Sequence, residues 1–166
     1  MSHLEKSRLS STDYLQGAYN VAKNSPDVST KVGAILVNSD GEIISMSYNS
    51  PLVNLPTNAS REDKYKYTSH AEEKAILVAA RLGCSTRGAT LYCPWAACHD
   101  CAKAIVVSGI KEVVAHGDAI DKTPERWADS INAAMRLFEE NGVIYTKVYG
   151  KIGDCENLFD GEIWYP

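Results

Sequence analysis

Residues 31–47 read KVGAILVNSDGEIISMS, and this stretch decides the fold class. Two apolar runs rich in β-branched residues, 31–37 and 42–47, are typical of strands. Between them, Asn38-Ser39-Asp40-Gly41 is a turn sequence that favours a β-hairpin. The stretch therefore predicts two neighbouring antiparallel strands near the start of a sheet.

Helices and strands alternate on both sides of this hairpin. Upstream, apolar residues with a helical period predict a helix over 13–23, with Ser11, Thr12 or Asp13 as its N-cap. Downstream, the same criteria predict helices over 71–82, 98–109 and 124–141, the last with Thr123 as N-cap and Pro124 at its first position. They also predict strands over 89–93, 112–115 and 143–149. This order predicts a layered α/β domain.

Two segments lack such a period. Residues 50–68 contain two prolines and two asparagines, which predicts a long exposed loop that serves as a lid or an effector site. Residues 150–166 end in an apolar cluster, and we expect this tail to dock on the core or on a neighbouring subunit. We expect one domain over 1–166, with its core over roughly 13–149.

Composition favours a soluble protein with a small substrate. The chain has 166 residues, a net charge of −4 and five cysteines. Non-specific binding to nucleic acid depends on excess Lys and Arg, so this charge argues against it. An odd number of cysteines argues against a full disulfide framework. No apolar run approaches the ~18 residues that span a bilayer, and no signal-peptide core is found, so we expect a cytoplasmic protein without a membrane partner.

Two short motifs carry the chemistry: His70-Ala71-Glu72 and Cys98-His99-Asp100-Cys101. Each falls at the start of a predicted helix, and residues at positions i and i+3 share a helix face, so both sulfurs can reach one metal. One imidazole and two thiolates give a tetrahedral zinc three protein ligands and leave one position open, which is typical of catalytic sites. We predict that His70, Cys98 and Cys101 bind Zn²⁺ and that Glu72 moves protons beside the metal.

A closed structural zinc in a binding module without turnover is the alternative from another class. It requires a fourth protein ligand, and only His99 and Cys93 lie near in the sequence, neither with convincing spacing. We expect His99 to face solvent. Cys84, Cys93 and Cys155 are expected to be packing residues or unpaired surface residues.

The order H-x-E before C-x-x-C is the signature of zinc-dependent nucleobase deaminases. Over roughly residues 14–149 the chain resembles the cytidine and deoxycytidylate deaminase superfamily, specifically its dCMP deaminase branch. The segments that carry the resemblance are Ser29–Ala34, Ser47–Asn49, Lys64–Glu72, Gly88–Tyr92 and Cys101–Lys111. The resemblance implies a three-layer α/β/α fold with a central mixed five-stranded sheet. It also implies deamination of dCMP to dUMP and ammonia, which supplies thymidylate synthesis, and a homo-oligomer, often a hexamer.

The resemblance also implies substrate contacts. Asn49 would contact the sugar and the base. The backbone N–H of Ala71 and the carbonyl of Ala96 would hold the edge of the pyrimidine. Trp95 would line the pocket, although a tryptophan at this position could equally belong to the core.

The chain departs from the family pattern at three places. Ala97 replaces the proline that usually precedes the first metal cysteine, which removes a rigid φ and loosens the turn. Lys74 replaces an asparagine, and it either meets a phosphate or lies on the helix surface. Regulated members carry G-Y-N-G where this chain has Ser47-Tyr-Asn-Ser50, so we do not expect activation by dCTP or inhibition by dTTP.

Other substrates stay open at this point. Within the superfamily they are dCTP, a modified dCMP, cytidine and guanine. A base in tRNA or single-stranded DNA is a further alternative, and it requires a flipped base and a basic track. The acidic balance of the chain argues against nucleic acid.

Overall fold

The structure of the chain, a computed structural model, describes residues 9–166. The helices are α1 (Ser11–Ala22), α2 (Arg61–Tyr67), α3 (Ala71–Arg81), α4 (His99–Val107), α5 (Gly117–Ile120) and α6 (Ala128–Glu140). The strands are β1 (Gly33–Val37), β2 (Ile43–Tyr48), β3 (Ser50–Pro51), β4 (Thr68–Ser69), β5 (Thr90–Tyr92), β6 (Glu112–His116), β7 (Ile144–Val148), β8 (Asn157–Phe159) and β9 (Glu162–Trp164). None of the helices within residues 9–166 is long and apolar enough to cross a membrane.

Five strands form the central sheet in the order β2-β1-β5-β6-β7. The hairpin prediction is confirmed: β1 and β2 pair antiparallel, with Gly33 opposite Tyr48 and Ile35 opposite Met46. β1 is also antiparallel to β5, whereas β5, β6 and β7 run parallel. The sheet is therefore mixed, as the resemblance implies.

Helices cover both faces of this sheet. Successive side chains of a strand point to opposite faces, and β1 follows this rule. Ala34 and Leu36 pack in a cluster with residues of α3, α4 and α6, whereas Ile35 and Val37 pack in a second cluster with α1 and the tail. All five residues of β1 are buried. The result is the expected three-layer α/β/α arrangement.

The start of α1 corrects one prediction. Its N-cap is Ser10 rather than Ser11, Thr12 or Asp13. The Ser10 hydroxyl accepts the Asp13 N–H at 3.1 Å, and the Asp13 carboxylate accepts the Ser10 N–H at 2.8 Å. This reciprocal capping box needs the acidic residue three positions after the cap, which fixes the cap at Ser10.

The long loop expected over 50–68 is wrong in part. Residues 61–67 form α2, and the short strands β3 and β4 pair antiparallel on either side of it. Ser60 caps α2 by accepting the Asp63 N–H at 3.0 Å. None of the residues of α2 is buried, so the helix carries no apolar period in the sequence.

The helix expected from Pro124 starts later than predicted. Residues Glu125–Trp127 form a 3₁₀ turn, and α6 begins at Ala128. The tighter turn matters for the site because it turns Arg126 and Trp127 towards a cavity that is described below.

The tail lies on the core of the same chain. Ile152 and Cys155 are buried in the cluster that contains α1. Beyond them, β8 and β9 form a hairpin in which Phe159 pairs with Glu162. Its two turn residues, Asp160 and Gly161, have φ values of 50° and 83°, and positive φ at both positions is what a two-residue type I′ turn requires.

Candidate active site

The three predicted metal ligands come together at the starts of two helices. His70 is the N-cap of α3, Cys98 is the N-cap of α4, and Cys101 lies in the first turn of α4. Nδ1 of His70 lies 3.4 Å from Sγ of Cys98 and 3.5 Å from Sγ of Cys101. With ordinary Zn–N and Zn–S bond lengths, tetrahedral geometry separates such ligands by about 3.6 Å. The donor set therefore fits one zinc ion.

Hydrogen bonds among these ligands favour a thiolate. A hydrogen bond from the Cys101 thiol lowers the pKa of Cys98 to about 4, and the same contact raises the pKa of Cys101. The hydrogen bond with Cys98 raises the pKa of His70 to about 9. The backbone N–H of Cys101 also donates to the Cys98 sulfur at 3.5 Å, as expected at a helix N-terminus. Thiolate is the form of cysteine that binds metals.

Glu72 stands beside this group without joining it. Among the described residues, the cluster of possible metal ligands consists of His70, Cys98 and Cys101. The Glu72 side chain lies in the first turn of α3 and is buried. Burial raises its pKa, because a charged carboxylate loses its hydration there. A carboxylate in this position is available to accept and return a proton.

Neither candidate for a fourth protein ligand joins the metal group. The His99 side chain is about half exposed, and its Nδ1 lies 2.8 Å from the Ser130 hydroxyl. Cys93 is buried and its thiol is hydrogen-bonded to the carboxyl group of Glu72. Within residues 9–166, three ligands and an adjacent carboxylate therefore describe the site, which is the open pattern of a catalytic zinc.

A cavity of about 290 Å³ opens over His70 and Glu72. The four residues for which substrate contacts were predicted all border it: Asn49, Ala71, Trp95 and Ala96. Its size is close to the lower limit for small-molecule sites. The structure thus brings the predicted contact residues to one space, next to the metal ligands.

The Asn49 amide is held in one orientation. Its Oδ1 accepts the Val32 N–H at 2.8 Å, and its Nδ2 donates to the Thr30 carbonyl at 2.9 Å. An amide oxygen accepts two hydrogen bonds and an amide nitrogen donates two, so each atom keeps capacity for a ligand.

Trp95 forms a wall of the cavity rather than only a core contact. Its ring stacks on Phe159, with the centroids 3.5 Å apart and the planes inclined by 11°. The indole is 6% exposed, and within the described part of the chain its Nε1 finds no hydrogen-bond partner.

The family departures lie near the site but outside its centre. Nζ of Lys74 donates to the Ser50 hydroxyl at 2.5 Å and lies 4.7 Å from the centroid of the Tyr48 ring, so the side chain faces β2 and β3. Ala97 is 1% exposed in the core. Cys98 still caps α4 after it, so the proline is not required for that cap.

Sequence reasoning missed the residues that form the mouth of the cavity. They come from α2, the 3₁₀ turn and the tail, and they are Arg61, Lys64, Tyr65, Arg126, Trp127 and Phe159. Tyr65 and Trp127 meet edge to face with ring centroids 5.6 Å apart, which closes one side. Two sequence signals could have found these elements: the spacing Ser60-x-x-Asp63, which is typical of a helix start, and the turn pair Asp160-Gly161 between apolar residues.

Comparisons with protein families, individual proteins and solved structures all find similarity to cytidine and deoxycytidylate deaminases. Residues 9–117 match the cytidine and deoxycytidylate deaminase zinc-binding region. The deoxycytidylate deaminase of Homo sapiens is 32% identical over 157 residues, which cover 89% of this chain and 84% of that protein. The deoxycytidylate deaminase of Enterobacteria phage T4 is 34% identical, with 75% of this chain and 86% of that protein covered. The dCMP deaminase of the cyanophage S-TIM5, solved with dCMP and dUMP, is 28% identical with a TM-score of 0.61, and the match covers 81% of this chain and 93% of that one.

Proposed function

This chain belongs to the cytidine and deoxycytidylate deaminase family, and from that premise we propose that it is a zinc-dependent hydrolase that converts dCMP and water to dUMP and ammonia. One observation of the site carries the proposal. Three zinc ligands lie at tetrahedral spacing, and the buried carboxylate of Glu72 lies beside them under a nucleotide-sized cavity.

Glu72 moves the protons in this reaction. A bound zinc ion supplies Lewis-acid chemistry that makes hydroxide available near neutral pH. Glu72 accepts the proton that the attacking water loses and delivers it to N3 of the pyrimidine. A C–O bond forms at C4. Glu72 then takes the remaining proton from the new C4 hydroxyl group and passes it to the amino group, the C4–N bond breaks, and ammonia leaves as the C4 carbonyl forms. Burial raises the pKa of this carboxyl group, which makes it a better proton acceptor than an exposed glutamate and suits it to this exchange.

The cavity residues orient the base. The Ala71 N–H is one of the first four N–H groups of α3, which lack a partner within the helix, and we assign it to an acceptor on the pyrimidine. The Ala96 carbonyl accepts from a donor on the same edge. Asn49 offers its remaining hydrogen-bond positions to the sugar, and Trp95 gives the base a flat apolar wall.

Ammonia release tests the proposal. The zinc-loaded protein is assayed with dCMP, dCTP, CMP and deoxycytidine side by side. We expect dCMP to be turned over fastest. A protein that contains zinc but releases no ammonia from any of the four would contradict the assignment and direct attention to modified pyrimidines, purines or nucleic acid.

We also expect a homo-oligomer, a hexamer being one form, and a cytoplasmic location. Large apolar side chains that lie exposed support an interface: Leu77 within α3, Leu82 at its C-cap, and Val107 at the end of α4. Light scattering coupled to size-exclusion chromatography measures the mass in solution. A mass of one chain at micromolar concentration would contradict the oligomer.

A further inference from the structure

Three cations stand at the mouth of the cavity. Arg61 and Lys64 reach it from α2, and Arg126 reaches it from the 3₁₀ turn before α6. Glu72 and Cys98 line the same cavity and are buried, whereas Arg61 and Arg126, which also line it, are exposed. A nucleotide whose base lies over Glu72 therefore directs its 5′ end towards these cations. This placement rests on the proposed function.

Arg126 is held in place by the tail. Its Nη2 lies 2.6 Å from Oδ1 of Asp160, and both side chains are about 40% exposed. The hydrogen bond from Arg126 lowers the pKa of Asp160, so the carboxylate is ionised at neutral pH. The pair thus keeps the guanidinium near the mouth of the cavity.

The position of Asp160 is itself fixed. Its φ of 50° lies in the left-handed region, which is uncommon for residues other than glycine. Its N–H donates to the Thr30 hydroxyl at 3.0 Å, and the Gly161 N–H donates to the Ser29 carbonyl at 2.8 Å. Ser29 and Thr30 also border the cavity. The hairpin turn is therefore fastened to the same loop that forms part of the cavity wall.

Arg126 keeps donors free for a ligand. A guanidinium has five N–H donors. Nη2 donates to the Asp160 carboxylate and a further hydrogen bond joins the guanidinium to Tyr65, which leaves donors for a ligand. Arginine binds phosphate through paired N–H donors, a geometry that lysine cannot supply. The cavity is also bordered by the carboxylate of Asp27. Its Oδ1 accepts the N–H groups of Ser29 and Thr30 at 2.7 and 2.9 Å, so these backbone groups, and not Arg126, are its hydrogen-bond partners.

We propose that Arg126 binds the 5′-phosphate of the substrate and that Asp160 is the positioning residue that orients Arg126. The matched family region ends at residue 117, so Arg126 and Asp160 lie outside it. The selection of a nucleotide over a nucleoside then depends on a part of the chain that carries none of the zinc ligands.

The test measures kcat and KM for dCMP and for deoxycytidine, which lacks the phosphate. For R126Q we expect kcat/KM for dCMP to fall about 10- to 100-fold, the loss expected for a charge-assisted hydrogen bond, mainly through KM. D160N should raise KM for dCMP several-fold and leave kcat unchanged. Both variants should keep the wild-type rate with deoxycytidine. Arg136 and Glu140 form an ion pair on α6 away from the cavity, with Nε 2.7 Å from Oε1. The control variants R136Q and E140Q remove this pair and should leave kcat and KM unchanged for both substrates.

A binding measurement makes the result independent of turnover. Calorimetry with the product pair dUMP and deoxyuridine should show that R126Q weakens dUMP binding about tenfold or more and leaves deoxyuridine binding unchanged. Equal losses for the phosphorylated and unphosphorylated compounds would overturn the inference, and so would unchanged dUMP binding. If the wild type binds dUMP through Arg126 but releases no ammonia from dCMP, the proposed function fails and the phosphate site stands.

Discussion

Glu72 is the residue on which turnover should depend most. Replacing it with glutamine keeps the size of the side chain but removes the group that exchanges protons. Because Glu72 lies outside the group of possible metal ligands, we expect E72Q to hold zinc as the wild type does and to lose about 100-fold or more in kcat, the usual contribution of general acid–base catalysis. Metal analysis and ammonia release measure the two quantities.

The neighbouring residue supplies the control for that substitution. Glu73 lies on the same helix turn but is exposed, so E73Q should retain kcat. A near-wild-type kcat in E72Q, or an equal loss in both variants, would contradict the role of Glu72.

Cys101 should determine whether the protein holds zinc. Serine is a poor zinc ligand because its hydroxyl stays protonated, so C101S should fall well below the zinc content of about one ion per chain expected for the site. Cys84 is half-exposed and lies outside the ligand group, so C84S should keep its zinc. Metal analysis after gel filtration compares the two. Full zinc content in C101S would show that another residue completes the site.

At the residue scale, the sequence predicted the groups that lie close together along the chain. His70 and Glu72 form one tripeptide and the two metal cysteines lie one helical turn apart, so local spacing is enough to place them. Arg126 and Asp160 are 34 positions apart. No local pattern joins two such residues, because only the folding of the tail brings them together.

Among the elements, the contact between α1 and β1 depends on Gly33. A Cβ at this position would lie 2.0 Å from the Ala18 carbonyl oxygen and 2.7 Å from the Ala22 nitrogen. We expect G33A to lower the free energy of unfolding by about 3 kcal/mol, the upper part of the usual range for overpacking, because helix and strand must move apart. Thermal unfolding should show a Tm about 6–12 °C lower.

Gly83 gives the matched glycine substitution. It has a φ of 73° at the end of α3, and a Cβ there would meet no atom within 4 Å. G83A therefore incurs only backbone strain, about 1 kcal/mol. Equal losses of stability in G33A and G83A would mean that the space at Gly33 is not limiting.

The elements that the sequence missed share a physical cause. Prediction of helices and strands relied on apolar periods, and such periods arise only where one face is buried. None of the residues of α2 is buried, and β8 and β9 are three residues each. The sequence marks α2 by its N-cap, Ser60, and marks the hairpin of β8 and β9 by its turn, Asp160-Gly161. The half-buried helices α3 and α4 were predicted from their apolar period, and the short strand β6, four of whose five residues are buried, from its β-branched residues.

On the scale of the whole molecule, zinc should link the two helices that carry its ligands. A ligand that binds the native state alone adds about 2.7 kcal/mol when its free concentration is 100 times its Kd. Removing zinc with a chelator should therefore lower Tm by about 5–10 °C and abolish ammonia release. Zinc should restore both, whereas magnesium should not, since it prefers oxygen ligands.

The variant C101S separates this effect from any action of the chelator itself. Its Tm should already be low and should hardly change when chelator is added. A drop in C101S as large as in the wild type would contradict a stabilising role for the metal at this site.

The tail hairpin, β8 and β9, separates the residues of the entrance from those of the candidate metal site along the chain. The candidate metal ligands and Glu72 lie at the starts of α3 and α4, while Phe159 and Asp160 lie on the hairpin of the tail. Substitutions in that hairpin should therefore alter the entrance while the residues of α3 and α4 stay unchanged. The entrance and the candidate metal site can therefore change independently in evolution, because they lie on separate segments of the chain.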